Sequence, residues 1–176
     1  MNLDGLPLHR RLFIGLMPDP ATRDALVRHQ RQWRWPRGCR PTKPASLHLT
    51  LHFLGEVDIA HERALRDVLG AEQTAPFDLL LRTPQCWGGG IAVLRPDAYP
   101  VLDDLHQRLA SRLLDADFVL PRGNWTAHVT LARDAFHCEA PPALTEPIVW
   151  PVSDFVLVWS RTTAPTGYEV LERYGP

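Results

Sequence analysis

The chain has 176 residues, 45% hydrophobic and 22% charged, with a formal net charge of −1, which suits one globular domain or two small fused lobes. The near-neutral total argues against the broad cationic coat of a general polyanion binder. No stretch reaches the roughly 18 unbroken apolar residues of a membrane helix, and the opening MNLDGLPLHRRLF lacks a basic region followed by an apolar one, so a cytoplasmic location is expected.

In chain order, RRLFIGLM (10–17) alternates as a strand does, and Asp19-Pro20 then supplies an N-cap and a first-turn proline for a helix through about Trp33. LHLTLHFL (47–54) alternates apolar with polar residues, the period of a strand with one buried face. A second helix is predicted from about Asp58 to Glu72, and FDLLLR (77–82) and GIAVLR (90–95) read as strands joined through Cys86-Trp87 and Gly88-Gly89-Gly90. Leu102, Leu105, Leu109 and Leu113 recur at three- and four-residue intervals, marking an amphipathic helix between Asp97 and Asp115. WTAHVTLA (125–132) is strand-like, a proline-rich loop follows, and DFVLVWS (154–160) and YEVLER (168–173) supply the last strands. Short strands interleaved with helices without a regular βαβ rhythm indicate α+β with antiparallel sheets.

Two further features bear on chemistry. Between Arg23 and Lys43 seven cations stand against one acid, which reads either as a solvated helix face running into a loop or as a guide for an anionic ligand. Cys39, Cys86 and Cys138 are odd in number, far apart and form no CxxC pair. They are therefore expected to be reduced thiols, in neither a disulfide framework nor a zinc site.

His48-Leu49-Thr50-Leu51 and His128-Val129-Thr130-Leu131 repeat one pattern eighty residues apart, close to half the chain. Such a repeat is what a duplication leaves, two similar lobes each giving one strand to a shared cleft. Residues i and i+2 of a strand share a face, so each histidine stands beside its threonine while Leu49, Leu51, Val129 and Leu131 point into a core. Imidazoles titrate near 6.5, so one ring of a pair can hold a proton while the other accepts one. That pair suits in-line displacement at phosphorus without a metal, with the Thr50 and Thr130 hydroxyls donating to non-bridging oxygens. Zinc held by His48, His52 and an opposing His128 is the weaker alternative, since nearby acids and thiols show no ligand spacing.

LHLTLHFLGEV (47–57) and AHVTLAR (127–133) resemble the paired HxTx motifs of the two-histidine phosphoesterase superfamily, most closely the RNA 2′,3′-cyclic phosphodiesterases once called 2′-5′ RNA ligases. RLFIGLMPDP (11–20), RPTKPASLHLT and the tail SRTTAPTGYEVLERYGP extend the resemblance over nearly the whole chain. It implies one bilobal domain over residues 1–176, with pseudo-twofold antiparallel lobes flanked by helices around a central cleft. It implies metal- and cofactor-independent opening of an RNA terminal 2′,3′-cyclic phosphate to a 2′-phosphate, and ATP-independent 2′-5′ joining as the reverse reaction. By the family's assignment His48 is the general acid and His128 the base, with Thr50 and Thr130 on the phosphate. The motif symmetry itself leaves acid and base unassigned.

His52 stands where these proteins frequently carry lysine, so it is expected at the rim as a tolerated, substrate-side replacement. Tyr168 is a candidate to stack on the terminal base, whereas Trp125, three residues before His128, is expected to point from the opposite strand face into the core. RNA ends are the expected partner, with no membrane, no obligate protein partner and a monomeric state. A phosphodiesterase of small cyclic nucleotides and a non-catalytic RNA-end binding module remain as alternatives.

Overall fold

The computed structural model describes residues 8–176; the sequence expectation about a leader falls in part on residues that lie outside that range. The first apolar alternation forms β1 (His9–Leu16) and Asp19 caps α1 (Pro20–Gln30), its carboxylate accepting from the amides of Ala21 at 2.8 Å and Thr22 at 3.1 Å. The helix ends short of the expected Trp33, which instead stacks on Trp35 at 4.9 Å. There follow β2 (Arg40–Pro41), a 3₁₀ turn (Pro44–Ser46), β3 (Leu49–Asp58) and α2 (Ile59–Gly70). The second half holds β4 (Phe77–Trp87), β5 (Ile91–Pro96), α3 (Pro100–Asp115), β6 (Val129–Arg133), β7 (Ile148–Val152), β8 (Phe155–Arg161) and β9 (Gly167–Tyr174). Gly89 and Gly90, at φ of 75° and 71°, supply the paired left-handed conformations that a tight β4–β5 turn demands.

All strands join one antiparallel sheet in the order β7-β4-β5-β6-β3-β1-β8-β9, with β2 added against β6. The α+β class is as the sequence implies. The two motif-bearing strands are central neighbours, with three strands outside each. They pair only at Leu49 and Val129. Further along β6, Arg133 and Ala132 pair instead with Arg40 and Pro41 of β2, and the Thr42 amide donates to the Leu131 carbonyl at 2.8 Å. The two motif strands therefore share one backbone pair and then splay.

Strand alternation sorts the two faces. Leu12, Ile14 and Leu16 of β1, Leu49 and Leu51 of β3, Val129 and Leu131 of β6, and Phe155 and Leu157 of β8 share one core with Leu26 of α1, Leu65 and Leu69 of α2 and the four leucines of α3. A smaller cluster, Phe13, Val156 and Val158, gathers the intervening residues of β1 and β8. Gly15 lets β1 lie close against the first motif, because a Cβ there would fall 2.6 Å from the Leu49 carbonyl oxygen. Gly15→Ala must shift the β3 backbone beside His48. It is expected to cost about 1–3 kcal/mol, the usual penalty of overpacking, measured by denaturant unfolding.

One sequence expectation is overturned. Cys86, on β4, and Cys138, in the turn after β6, are joined as a disulfide with Cα atoms 6.3 Å apart, leaving only Cys39 as a thiol. Fifty-two residues separate the two, so only the sheet order, which brings β4 and β6 to either side of β5, places them together.

Candidate active site

The register Leu49 opposite Val129 in an antiparallel pair sets His48 across from Thr130 and Thr50 across from His128. All four side chains line one cavity of about 150 Å³, together with Arg11, Phe13, Phe53, Arg133, Ser160 and Tyr168. The duplicated pattern thus becomes a nearly symmetric pocket about the one backbone pair that the two motif strands share.

The two imidazoles are held alike. His48 Nδ1 lies 2.7 Å from the Ser46 carbonyl and His128 Nδ1 lies 2.7 Å from that of Thr126, in each case two residues back along the chain. A carbonyl only accepts, so both Nδ1 atoms carry hydrogen and Nε2 is the atom left to exchange protons. The Thr50 hydroxyl, 3.0 Å from His48 Nε2, donates to it while the ring is neutral. Aromatic neighbours fix the ring planes: Phe13 at 4.7 Å and Tyr168 at 5.0 Å from His48, and Trp87 at 4.6 Å from His128.

Burial pushes His48 down to about 4; the charges of His128 and Arg133 press the same way, and the Ser46 carbonyl works against them. His128 is lowered too, by burial first and then by the Arg133 and Arg95 charges, with the Thr126 carbonyl opposing. Both rings are therefore mostly neutral at pH 7 in the free protein. A bound phosphodiester offsets those cations and favours the imidazolium.

Tyr168 reaches the pocket, packing edge-on against His48 and Phe13. His52 does not. In the pairing of β1 with β3, Leu51 and Leu54 are skipped, two bulges that reverse the alternation of β3. Phe53 rather than His52 thereby joins the Thr50 face, and His52 is buried at 6% exposure with Nε2–H donating to the His106 carbonyl at 2.9 Å. This corrects the exposed rim position and the shared face with His48 on which a zinc site depended, although His52 still lines a larger cavity beside the pocket.

Trp125 is half-buried and packs against the main core as expected, but strand alternation is not what places it there. Strand β6 begins only at Val129, so strand alternation does not extend back to residue 125. Its indole lines a second cavity of about 640 Å³ with Trp87, His106, Leu120 and Arg122; Thr50, Phe53 and His128 are common to both cavities. None of the seven cations from Arg23 to Lys43 lines either space. The cations that do face the histidines, Arg11 and Arg133, stand outside the cation-rich run, Arg11 as the second of an arginine pair on β1 and Arg133 at the end of β6, so charge patterning does not single them out. Among the described residues neither forms an ion pair, so both charges are available to an anion.

A single antiparallel sheet presenting two His-x-Thr strands to one cationic pocket has the architecture of the two-histidine phosphoesterases. The crystal structure of Escherichia coli LigT complexed with 3′-AMP matches it with a TM-score of 0.85 at 27% identity, covering 95% of this chain and 98% of that one. The Thermus thermophilus protein TT0787 matches with a TM-score of 0.80 at 28% identity, covering 94% and 97%. In sequence, the RNA 2′,3′-cyclic phosphodiesterase of Thermus thermophilus is 33% identical over 183 aligned positions, 93% of this chain and 89% of that protein. Residues 18–164 match the family profile, and the chain belongs to the 2′-5′ RNA ligase superfamily.

Proposed function

We propose that the chain opens RNA terminal 2′,3′-cyclic phosphates to 2′-phosphates, residues 1–176 acting as one bilobal catalytic domain with His48 and His128 as the acid–base pair. The observation that carries this reading is the convergence of both histidines, both threonines, Arg11 and Arg133 on a cavity of phosphate size. Water attacks phosphorus as its proton passes to Nε2 of His128. The P–O3′ bond breaks on the far side, and Nε2–H of His48 protonates the departing O3′, the assignment that the family resemblance implies. Thr50 and Thr130 donate to the non-bridging oxygens while Arg11 and Arg133 balance their charge. When an RNA 5′-hydroxyl attacks phosphorus in place of water, the same P–O3′ bond breaks and O3′ takes the His48 proton, so the ends join through a 2′-5′ linkage, driven by the cyclic ester rather than ATP.

The adjoining cavity, at about 640 Å³, falls in the range of small-molecule sites and has room for the nucleoside that carries the phosphate. The enzyme works as a monomer in the cytoplasm, where the thiol pool can open the Cys86–Cys138 bond. Incubation with a cyclic-phosphate-terminated oligonucleotide in EDTA is expected to yield a 2′-phosphate. A 3′-phosphate or no turnover would sink this reading, a strong preference for mononucleotides would replace RNA as substrate, and binding without turnover would leave a recognition module.

A further inference from the structure

Each histidine stands immediately before its strand, and the two strands share one backbone pair, Leu49 with Val129. Besides the common core and the β2 pairing farther along β6, one side chain ties the two motifs together beside the histidines. Trp125 Nε1–H donates to the Thr50 carbonyl at 3.0 Å, crossing from the run that leads to His128 into β3. The indole is stacked on His106 of α3 at 4.0 Å and 11°, and His106 on His52 of β3 at 4.2 Å and 16°. Helix, strand and loop are thus clamped through three parallel rings. The next residue, Thr126, supplies the carbonyl that orients His128, while Thr50 supplies the hydroxyl on His48.

We propose that Trp125 is a positioning residue that sets the separation and orientation of the two imidazoles across the β3–β6 junction, supported by the His106–His52 stack. The proposal rests on the acid–base reading above and adds a residue outside both motifs. In-line transfer needs both Nε2 atoms aligned with phosphorus, and a misplacement of about 1 Å can cost on the order of 100-fold in rate.

The test is Trp125→Phe, which keeps a flat ring and removes the donor, with His106→Ala as a second variant that leaves the indole in place. Each is assayed for kcat and KM on a cyclic-phosphate-terminated oligonucleotide, for thermal midpoint, and for the ¹⁵N signals of the His128 ring with and without inorganic phosphate. The expected result is a kcat lower by about 10- to 100-fold, a midpoint near wild type, a displaced His128 signal and, because both rings line the larger cavity, a rise in KM smaller than the fall in kcat. A raised KM at unchanged kcat makes Trp125 a stacking platform and overturns the proposal. So does a lower midpoint with full activity per folded molecule. If the wild-type chain hydrolyses no cyclic end, the functional reading fails by itself; the ring signals still decide positioning, unmoved signals overturning it and displaced ones supporting it.

Discussion

Alanine at His48 or His128 is expected to lower kcat on a cyclic-phosphate end by about 10²- to 10⁴-fold each, the usual contribution of a placed acid or base. KM should change far less, because Thr50, Thr130, Arg11 and Arg133 still surround the phosphate. The double variant is expected to be little worse than the poorer single one, since proton removal and proton delivery belong to one displacement. Stability changes should be modest. Each substitution strips a donor from a single carbonyl, Ser46 or Thr126, and neither ring belongs to the main core, so about 1 kcal/mol is at stake. Steady-state kinetics with unfolding curves on the same preparations separate the effects. Wild-type kcat in either variant would remove the paired mechanism.

The clearest signals in the sequence were those local physics fixes. Asp19 before Pro20 is an N-cap in any setting, and the leucines of α3 recur at a helical period that only a buried face explains. The duplicated His-x-Thr was legible because strand alternation alone puts its two polar side chains on one face. What alternation could not reveal is where it breaks. The bulges at Leu51 and Leu54 are visible only once β1 is laid beside β3, and the first of them moves His52 beneath His106. Likewise Trp125 does pack against the core, but it also lines the larger cavity, which strand geometry running back from His128 did not suggest. Strand β7 was hidden by Pro151, which removes a ladder donor and so suggests a loop; it is accommodated because β7 forms an edge of the sheet. The Cys86–Cys138 pair depends wholly on sheet order, which spacing does not encode.

The second large effect is expected in the pH profile. Both imidazoles of the proposed pair are lowered from 6.5, His48 to about 4. A lowered imidazole loses its proton at a lower pH, so the singly protonated pair that transfers protons in both directions is most populated below 6.5. For kcat/KM, which reports the free enzyme, the bell should peak on the acid side of 6.5 and fall about tenfold per unit above it. At pH 7.5 it should stand at least about tenfold under its maximum. The kcat profile should be displaced toward alkali, because the bound phosphodiester's negative charge stabilises the imidazolium in the complex. Arg133 lowers both histidines, so Arg133→Gln should raise the alkaline limb of kcat/KM even as KM rises through loss of a phosphate-side cation. Folding must be followed alongside. His48 and His106 are both held near 4 when folded, whereas unfolded imidazoles take protons near 6.5. Their contribution to stability is therefore complete above 6.5 and lost progressively as pH falls from there toward 4. Circular dichroism across the same range distinguishes an acid limb due to unfolding from one due to protonation of the base. A kcat/KM that is flat from pH 6 to 8, or that peaks above 7 in a fully folded protein, would show that the proton-transferring groups are not these two buried rings.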